Sequence, residues 1–172
     1  RRGSLPPLRQ TEREIARIFA QFGFVVVEGP EVETDALNFE ALNIPADHPS
    51  RDLWDTIYVK TPTGAEHHGR LLLRTYTSPG QIRAMREYCP EPIRVILPGM
   101  CYRYEQVTAR SEMMFYQVEG LAVGKDITMT DLKGVMAEYA SRLKAIRARW
   151  TLSKQQTENS NGMLMELKEH MD

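Results

Sequence analysis

The segment CYRYEQVTARSEMMFYQVEG, Cys101 to Gly120, constrains the fold of this chain more than any other feature. It contains two strand-like runs that carry charged and amide side chains where a buried strand would carry aliphatic ones. Because strand side chains alternate between faces, Arg103 and Glu105 share one face, and Gln117 and Glu119 share one face of the second run. If the two runs pair as a hairpin, one sheet face displays a guanidinium, two carboxylates and an amide.

Two interpretations of this polar face remain open. Arg103 and Glu105 could form an internal ion pair, since oppositely charged neighbours occur in sheets. Alternatively, the polar set binds a ligand, which would explain why groups that cost kilocalories per mole to bury unpaired are present. A guanidinium offers a planar, bidentate fork to a phosphate, and a carboxylate accepts hydrogen bonds from an amine or orients a metal.

Bulk properties exclude several classes of protein. The 172 residues suffice for one well-buried core, so we predict a single domain. A net charge of -1 and a hydrophobic fraction of 42% exclude a polybasic nucleic-acid binder and a disordered tail, although RNA contact by a local patch stays possible. The chain has no apolar run of about 18 residues and no apolar signal region, so we predict neither a membrane span nor secretion.

The cysteines and histidines do not form a recognisable metal motif. Cys89 and Cys101 belong to no CxxC or Cys/His cluster, and they are interpreted as reduced thiols of a cytoplasmic protein rather than zinc ligands. His67 and His68 are expected in a solvated hairpin loop rather than at a metal. The sequence therefore predicts no protein-held metal site.

Local patterns predict an order of helices and strands. Residues 1–10 are expected to be extended, and Thr11 with Glu14 forms a capping box for the first helix. Residues 31–56 show no clean period. The remaining predicted elements are strands Phe24 to Glu28, Ile57 to Thr61, Arg70 to Thr75 and Ile93 to Leu97, the hairpin running to about Val123, a helix that Ser78 caps ahead of Pro79, and a long helix capped by Thr130 or Asp131. The long helix has an apolar stripe and a basic face, which is either solvated or in contact with RNA.

Neither GxxxxGK[ST] nor GxGxxG occurs in the chain, so a nucleotide would have to be held by side chains on a sheet.

Four stretches resemble the bacterial phenylalanine–tRNA ligase α-subunit family of class II aminoacyl-tRNA synthetases. Glu28 to Glu33 (EGPEVE) is similar to motif 1 of that family, and the hairpin is similar to motif 2, which holds ATP and the acceptor end of tRNA. The four stretches are NFEALNIPADHPSRDLWDT (Asn38 to Thr56), RTYTSPGQIR (Arg74 to Arg83), PGMCYRYE (Pro98 to Glu105) and FYQVEGLAVGKDITMTDLKG (Phe115 to Gly134).

The resemblance implies an α/β fold, with the antiparallel class II synthetase sheet flanked by helices and expected to be incomplete. It divides the chain into a synthetase core, residues 1–136, and a helical segment, residues 137–172, that either belongs to the same domain or is an appended tail. The FPF-type run, motif 3 and the N-terminal helical arm of the family are not found in these residues. We therefore expect the chain alone to form about half of an active site.

The resemblance also implies roles for individual residues. Arg103 matches the catalytic arginine that binds the α-phosphate, Glu105 matches the carboxylate near adenine, and Ser111 lies in the ATP-binding loop of motif 2. Histidine is usual in the family at Tyr76, near Ser111 and at Tyr116, so fine detail at those positions differs. The implied amino-acid-binding residues are Trp54, Tyr76, Ser78, Gln117 and Glu119.

The activity implied by the resemblance is activation of phenylalanine by ATP with Mg²⁺, followed by transfer to tRNA-Phe. The implied partner is the β subunit of the family's heterotetramer, with pairing of two copies through motif 1 as an alternative. Two other functions remain open. One is a catalytically silent module that retains nucleotide or RNA affinity, and the other is a paralogue that joins an amino acid to a different acceptor.

Overall fold

A computed structural model describes residues 3, 5–51, 56–60, 70–104, 112–145 and 148. The chain divides into two compact units, residues 1–127 and 128–172. Short 3-10 helices cover Glu40–Leu42 and Pro49–Arg51 in the first unit. Its other elements are helices α1 (Pro7–Ala20), α2 (Asp35–Asn38) and α3 (Pro79–Tyr88), and strands β1 (Val25–Val26), β2 (Val32–Thr34), β3 (Leu71–Leu73), β4 (Ile93–Tyr102) and β5 (Met114–Val123).

The main sheet has the strand order β1-β4-β5. β4 and β5 pair antiparallel along their whole length, from Ile93 opposite Val123 to Tyr102 opposite Met114. β1 adds to the other edge of β4 in parallel, and it is shorter than the predicted strand. The predicted hairpin and the α/β class with an antiparallel sheet are therefore confirmed.

The predicted strand Ile93 to Leu97 is too short, because β4 continues through Pro98 and Gly99 into the hairpin. Pro98 lies opposite Val118. Further along β4, the N–H of Tyr102 points away from β5 and donates to the carbonyl of Arg74. Alternate residues of a strand point their backbone groups to opposite edges. Pro98 therefore lacks an N–H on the edge away from β5, and the hairpin ladder loses no bond.

The first helix begins earlier than predicted. α1 starts at Pro7, and Thr11 lies inside it, where its hydroxyl donates to the carbonyl of Pro7 at 3.0 Å. Proline suits the first turn because the amide there has no helical partner. The extended segment through residue 10 and the Thr11–Glu14 capping box are therefore wrong, and Glu14 instead pairs with Arg17 at 2.8 Å.

The region predicted to be irregular, residues 31–56, contains short regular elements. β2 pairs antiparallel with β3, with Val32 opposite Leu73, and Thr34 caps α2 by accepting the N–H of Leu37 at 3.3 Å. The two strands predicted after it do pair, through a bridge between Tyr58 and Leu72, but regular structure in the second is limited to β3. The turn with His67 and His68 lies outside the described residues.

The core lies between α3 and one face of the main sheet. Ile93, Val95 and Leu97 of β4 are buried against Ala84, with Met85 partly buried at the edge of this cluster. Ala84 sits at the centre because its small side chain lets the helix approach the sheet closely. α3 is thereby fixed over the strand that continues into the polar part of the hairpin.

The second unit is described through helix α4, residues 129–145. Thr128 is its N-cap. The Thr128 N–H donates to Asp131 Oδ2 at 2.8 Å, and the Asp131 N–H donates to Thr128 Oγ1 at 3.3 Å. This reciprocal capping box makes Asp131 the third helical residue, so the predicted caps were two or three residues too late. The division at residue 136 falls inside α4 and stays a prediction, and no helix in the described ranges is long and apolar enough to cross a membrane.

Candidate active site

The antiparallel register places the polar side chains of the hairpin on the face that begins as core. Leu97 lies opposite Glu119, Gly99 opposite Gln117, and Cys101 opposite Phe115. Leu97 is buried against α3, whereas the same face carries an amide and a carboxylate beside it. One continuous sheet face therefore changes from apolar to polar towards the tip of the hairpin.

Arg103 follows the end of β4 and is oriented by three contacts. Its N–H donates to the carbonyl of Met113 at 3.0 Å, which continues the hairpin ladder. Its Nε donates to the carbonyl of Thr75 at 3.3 Å, and its guanidinium carbon lies 4.8 Å from the centre of the Phe115 ring. Within the described residues its two Nη groups donate no hydrogen bond, so they are available to an anionic ligand.

Glu119 is oriented by the start of α3. Ser78 Oγ and Gln81 Nε2 both donate to Glu119 Oε2, each at 2.6 Å. Ser78 is the N-cap of α3, as predicted, but it makes no side-chain capping bond because its hydroxyl is directed to the carboxylate. Among the described residues nothing donates to Oε1, so this oxygen can accept from a cation such as an ammonium group.

Gln117 contacts the neighbouring strand through Cys101. The Cys101 thiol donates to Gln117 Oε1 at 3.4 Å, which leaves the NH₂ of the amide to donate elsewhere. Burial raises the pKa of Cys101 to about 11. The thiol therefore stays neutral at physiological pH, which argues against a nucleophilic thiolate in this site.

Tyr76 lies on the segment between β3 and α3. Its hydroxyl donates to the carbonyl of Asn38, and its ring meets Phe39 edge-on, with centroids 6.4 Å apart. Burial raises the pKa of Tyr76 to about 12. The Tyr76 hydroxyl is therefore a hydrogen-bond donor that stays neutral near pH 7.

The structure brings Arg103, Ser78, Gln117 and Glu119 to one face, with Tyr76 on the adjoining segment. Their predicted binding roles remain predictions. Trp54, Glu105 and Ser111 lie outside the described residues, so the alternative of an internal Arg103–Glu105 ion pair also stays open.

Three residues that matter for this geometry were given no role in the site from the sequence. Gln81 stands three positions after Ser78, a spacing that places both on one side of a helix start and could have indicated a shared partner. Arg74 directly follows the apolar run LLL, which signals a buried charge in need of acceptors. Asn38 binds the backbone and the hydroxyl of Thr75, at 3.4 and 3.1 Å, and no local signal announces a contact across 37 residues.

The described residues do not form a metal site. No group of three or more His, Cys, Asp or Glu side chains gathers in the described ranges, and Oε2 of Glu119 already accepts two hydrogen bonds.

The helix-flanked sheet, with Arg103 and Glu119 on one face of its antiparallel hairpin, agrees with the core that the resemblance to class II aminoacyl-tRNA synthetases implies. The fold is similar to solved structures of pyrrolysyl-tRNA synthetase from Desulfitobacterium hafniense. One has a TM-score of 0.61 at 20% identity and covers 79% of this chain and 46% of that one. A second has a TM-score of 0.55 at 25% identity and covers 86% and 47%.

The family described as "tRNA synthetases class II core domain (F)" matches residues 1–161, and the chain belongs to it. The match extends past residue 136, the end of the synthetase core predicted from the sequence. Relatives named phenylalanine–tRNA ligase alpha subunit include one from Herpetosiphon aurantiacus, 60% identical over 141 residues, and one from Roseiflexus sp. (strain RS-1), 57% identical over 150 residues. These alignments cover 82% and 86% of this chain but 40% and 42% of the relatives, so the chain spans less than half of their length.

Proposed function

We propose that this chain carries the ATP-binding and phenylalanine-recognising wall of a cytoplasmic phenylalanine–tRNA ligase α subunit. The observation that carries the proposal is the arrangement on the hairpin face. Among the described residues nothing bonds to the Nη groups of Arg103 or to Oε1 of Glu119, while the rest of each side chain is fixed on the same sheet face by hydrogen bonds. The high identity to relatives that bear this name supports the choice of amino acid.

In the first step, a carboxylate oxygen of phenylalanine forms a bond to the α-phosphorus of ATP, and the bond from that phosphorus to the bridging oxygen of pyrophosphate breaks. Negative charge builds on the α-phosphate oxygens in the transition state. Arg103 is placed to stabilise that charge with two parallel N–H donors, which is worth most when the donors are already oriented. The side chain acts by position and charge, and no covalent intermediate with the protein is needed.

Phenylalanine would be aligned by the charges at the other end of the face. Its ammonium group suits Oε1 of Glu119, whose partner oxygen is held by Ser78 and Gln81. The amide NH₂ of Gln117 can donate to an oxygen of the substrate because its own oxygen already accepts from Cys101. Tyr76, fixed against Asn38, would close the side of this site.

In the second step, the oxygen of a terminal ribose hydroxyl of tRNA-Phe forms a bond to the carbonyl carbon of the adenylate, and the bond from that carbon to the phosphate oxygen breaks. AMP leaves with the bonding electron pair, and the hydroxyl proton passes to its phosphate or to solvent. We propose the β subunit as the partner of the chain, with Mg²⁺ accompanying ATP. Val25 and Val26, 57% and 47% exposed on the short edge strand β1, support a subunit contact through motif 1, either in the heterotetramer or between two copies.

The proposal is tested by phenylalanine-dependent ATP–pyrophosphate exchange and by calorimetric titration of the chain with ATP. Arg103→Ala should lower ATP affinity by about tenfold or more, the loss expected for a charge-assisted bidentate contact. Arg94→Ala is the matched control, because Arg94 lies on β4, the strand that Arg103 follows, and its Nη1 donates to the carbonyl of Phe22, away from the site. Unchanged affinity in Arg103→Ala would refute the assignment.

The same measurements separate the other two functions. Exchange that depends on phenylalanine would exclude a silent binding module. ATP binding without exchange would exclude autonomous activation by these residues. Exchange together with aminoacyl transfer to an acceptor other than tRNA-Phe would favour the paralogue.

A further inference from the structure

Arg74 is a buried arginine, 5% exposed, whose guanidinium packs against Gly99 of β4. Its guanidinium is held by main-chain carbonyls. Nε donates to Met100 at 2.8 Å, and Nη1 donates to Gly29 at 3.0 Å and Pro30 at 3.3 Å. Within the described residues it forms no ion pair with a carboxylate, so these oriented carbonyl dipoles stabilise the buried charge.

The backbone of Arg74 joins the same parts of the fold. Its N–H donates to the carbonyl of Glu31 at 2.9 Å, and its carbonyl accepts the N–H of Tyr102 at 2.9 Å. One residue therefore ties the turn at Gly29 and Pro30 to the end of β4. It also fixes the start of residues 74–78, which we call the 74–78 segment.

The 74–78 segment makes the contacts that orient the site. The carbonyl of Thr75 accepts from Arg103 Nε, and Ser78 donates to Glu119. We propose that Arg74 is a positioning residue, which holds the Thr75 carbonyl in place and thereby sets the direction of the Arg103 guanidinium. The ATP part of this inference rests on the proposed function, whereas the effect on Arg103 does not.

The first test needs no ligand. In ¹⁵N NMR spectra, the Arg103 Nε–H signal, assigned with Arg103→Lys, reports the hydrogen bond to Thr75. Arg74→Lys keeps the charge but not the planar fork, and it should speed solvent exchange of this proton by about tenfold as the bond opens. Arg94→Lys is the control, since Arg94 Nη1 donates to the carbonyl of Phe22 and the exchange rate should not change. An unchanged rate in Arg74→Lys would overturn the proposal, whether or not the chain binds ATP.

The second test is a double-mutant cycle on ATP affinity. Arg74→Lys should weaken ATP binding by about tenfold when Arg103 is present and by much less in the Arg103→Ala background. An equal loss in both backgrounds would show that Arg74 does not act through Arg103. If the unmodified chain does not bind ATP, the proposed function fails and the exchange rate alone decides the inference.

A second variant covers the case in which Arg74→Lys does not fold. Gly99→Ala should displace the Arg74 side chain from β4 without removing its charge. The Arg103 Nε–H should then exchange faster to a similar extent, and a rate equal to that of the unmodified chain would again overturn the proposal.

Discussion

Gly99→Ala tests the packing of the Arg74 side chain against β4. A Cβ on Gly99 would overlap Nη2 of Arg74 and lie 2.8 Å from its Cζ, whereas real Cβ contacts essentially never fall below 3.0 Å. The backbone at Gly99 is fixed opposite Gln117 by the ladder of β4 and β5. The strain is therefore expected to move the Arg74 side chain rather than the strand.

The magnitude follows from what Arg74 would lose. Overpacking of a closed interior costs about 1–3 kcal/mol. Displacement of the guanidinium weakens its bonds to the carbonyls of Met100, Gly29 and Pro30, and a hydrogen bond to a charged group is worth about 1.5–3 kcal/mol. Since the side chain can relax partly and alanine favours a strand over glycine by about 0.5–1 kcal/mol, we expect a net destabilisation of about 3 kcal/mol.

Urea unfolding followed by circular dichroism measures this change as a shift in midpoint at constant slope. Gly120→Ala is the matched control on β5, because the nearest atom to its added Cβ is the carbonyl oxygen of Val95 at 4.0 Å. It should leave the free energy of unfolding unchanged or raise it by up to about 1 kcal/mol, the advantage of alanine over glycine in a strand. Equal midpoints for the two variants would refute the reasoning, as would a full Gly99→Ala penalty in an Arg74→Ala background.

Three further predictions concern single side chains. Arg83→Met leaves the carboxylate of Glu33, which is 2% exposed, without its bidentate partner. The free energy of unfolding should fall by about 2 kcal/mol, which is less than for a fully buried pair because the Arg83 side chain is 42% exposed. No shift in the urea midpoint would contradict this. Thr77→Val removes a buried hydroxyl that has no hydrogen-bond partner in the described ranges, and should raise the free energy of unfolding by about 1 kcal/mol. A lower melting temperature would count against it. Because the pKa of Tyr76 rises from 10.0 to about 12 on folding, its stabilising effect is present below pH 10 and is lost as the pH rises towards 12. Tyr76→Phe should therefore lose stability less steeply than the unmodified chain between pH 10 and 12, and identical slopes in urea titrations would contradict the assignment.

The sequence by itself determined the hairpin. Strand alternation is a local rule, so the shared face of Gln117 and Glu119 could be predicted from spacing alone, and the register of β4 and β5 confirmed the pairing. The start of α3 at Ser78 and Pro79 was equally local. Local rules also misled, because the Thr11–Glu14 pattern fits a capping box as well as it fits the middle of a helix that Pro7 already starts.

Only the tertiary structure decided how the polar face is held. Ser78 reaches Glu119 across 41 residues, and Arg74 reaches Met100 and Gly29 across 26 and 45 residues. Such partners are chosen by which segments the folded core brings together, and no periodicity in the chain encodes them. The physical reason is that a buried charge or hydroxyl must find its partners wherever packing places them. The residue types on the hairpin face are therefore readable from the sequence, whereas the direction in which Arg103 and Glu119 present them depends on the assembled fold.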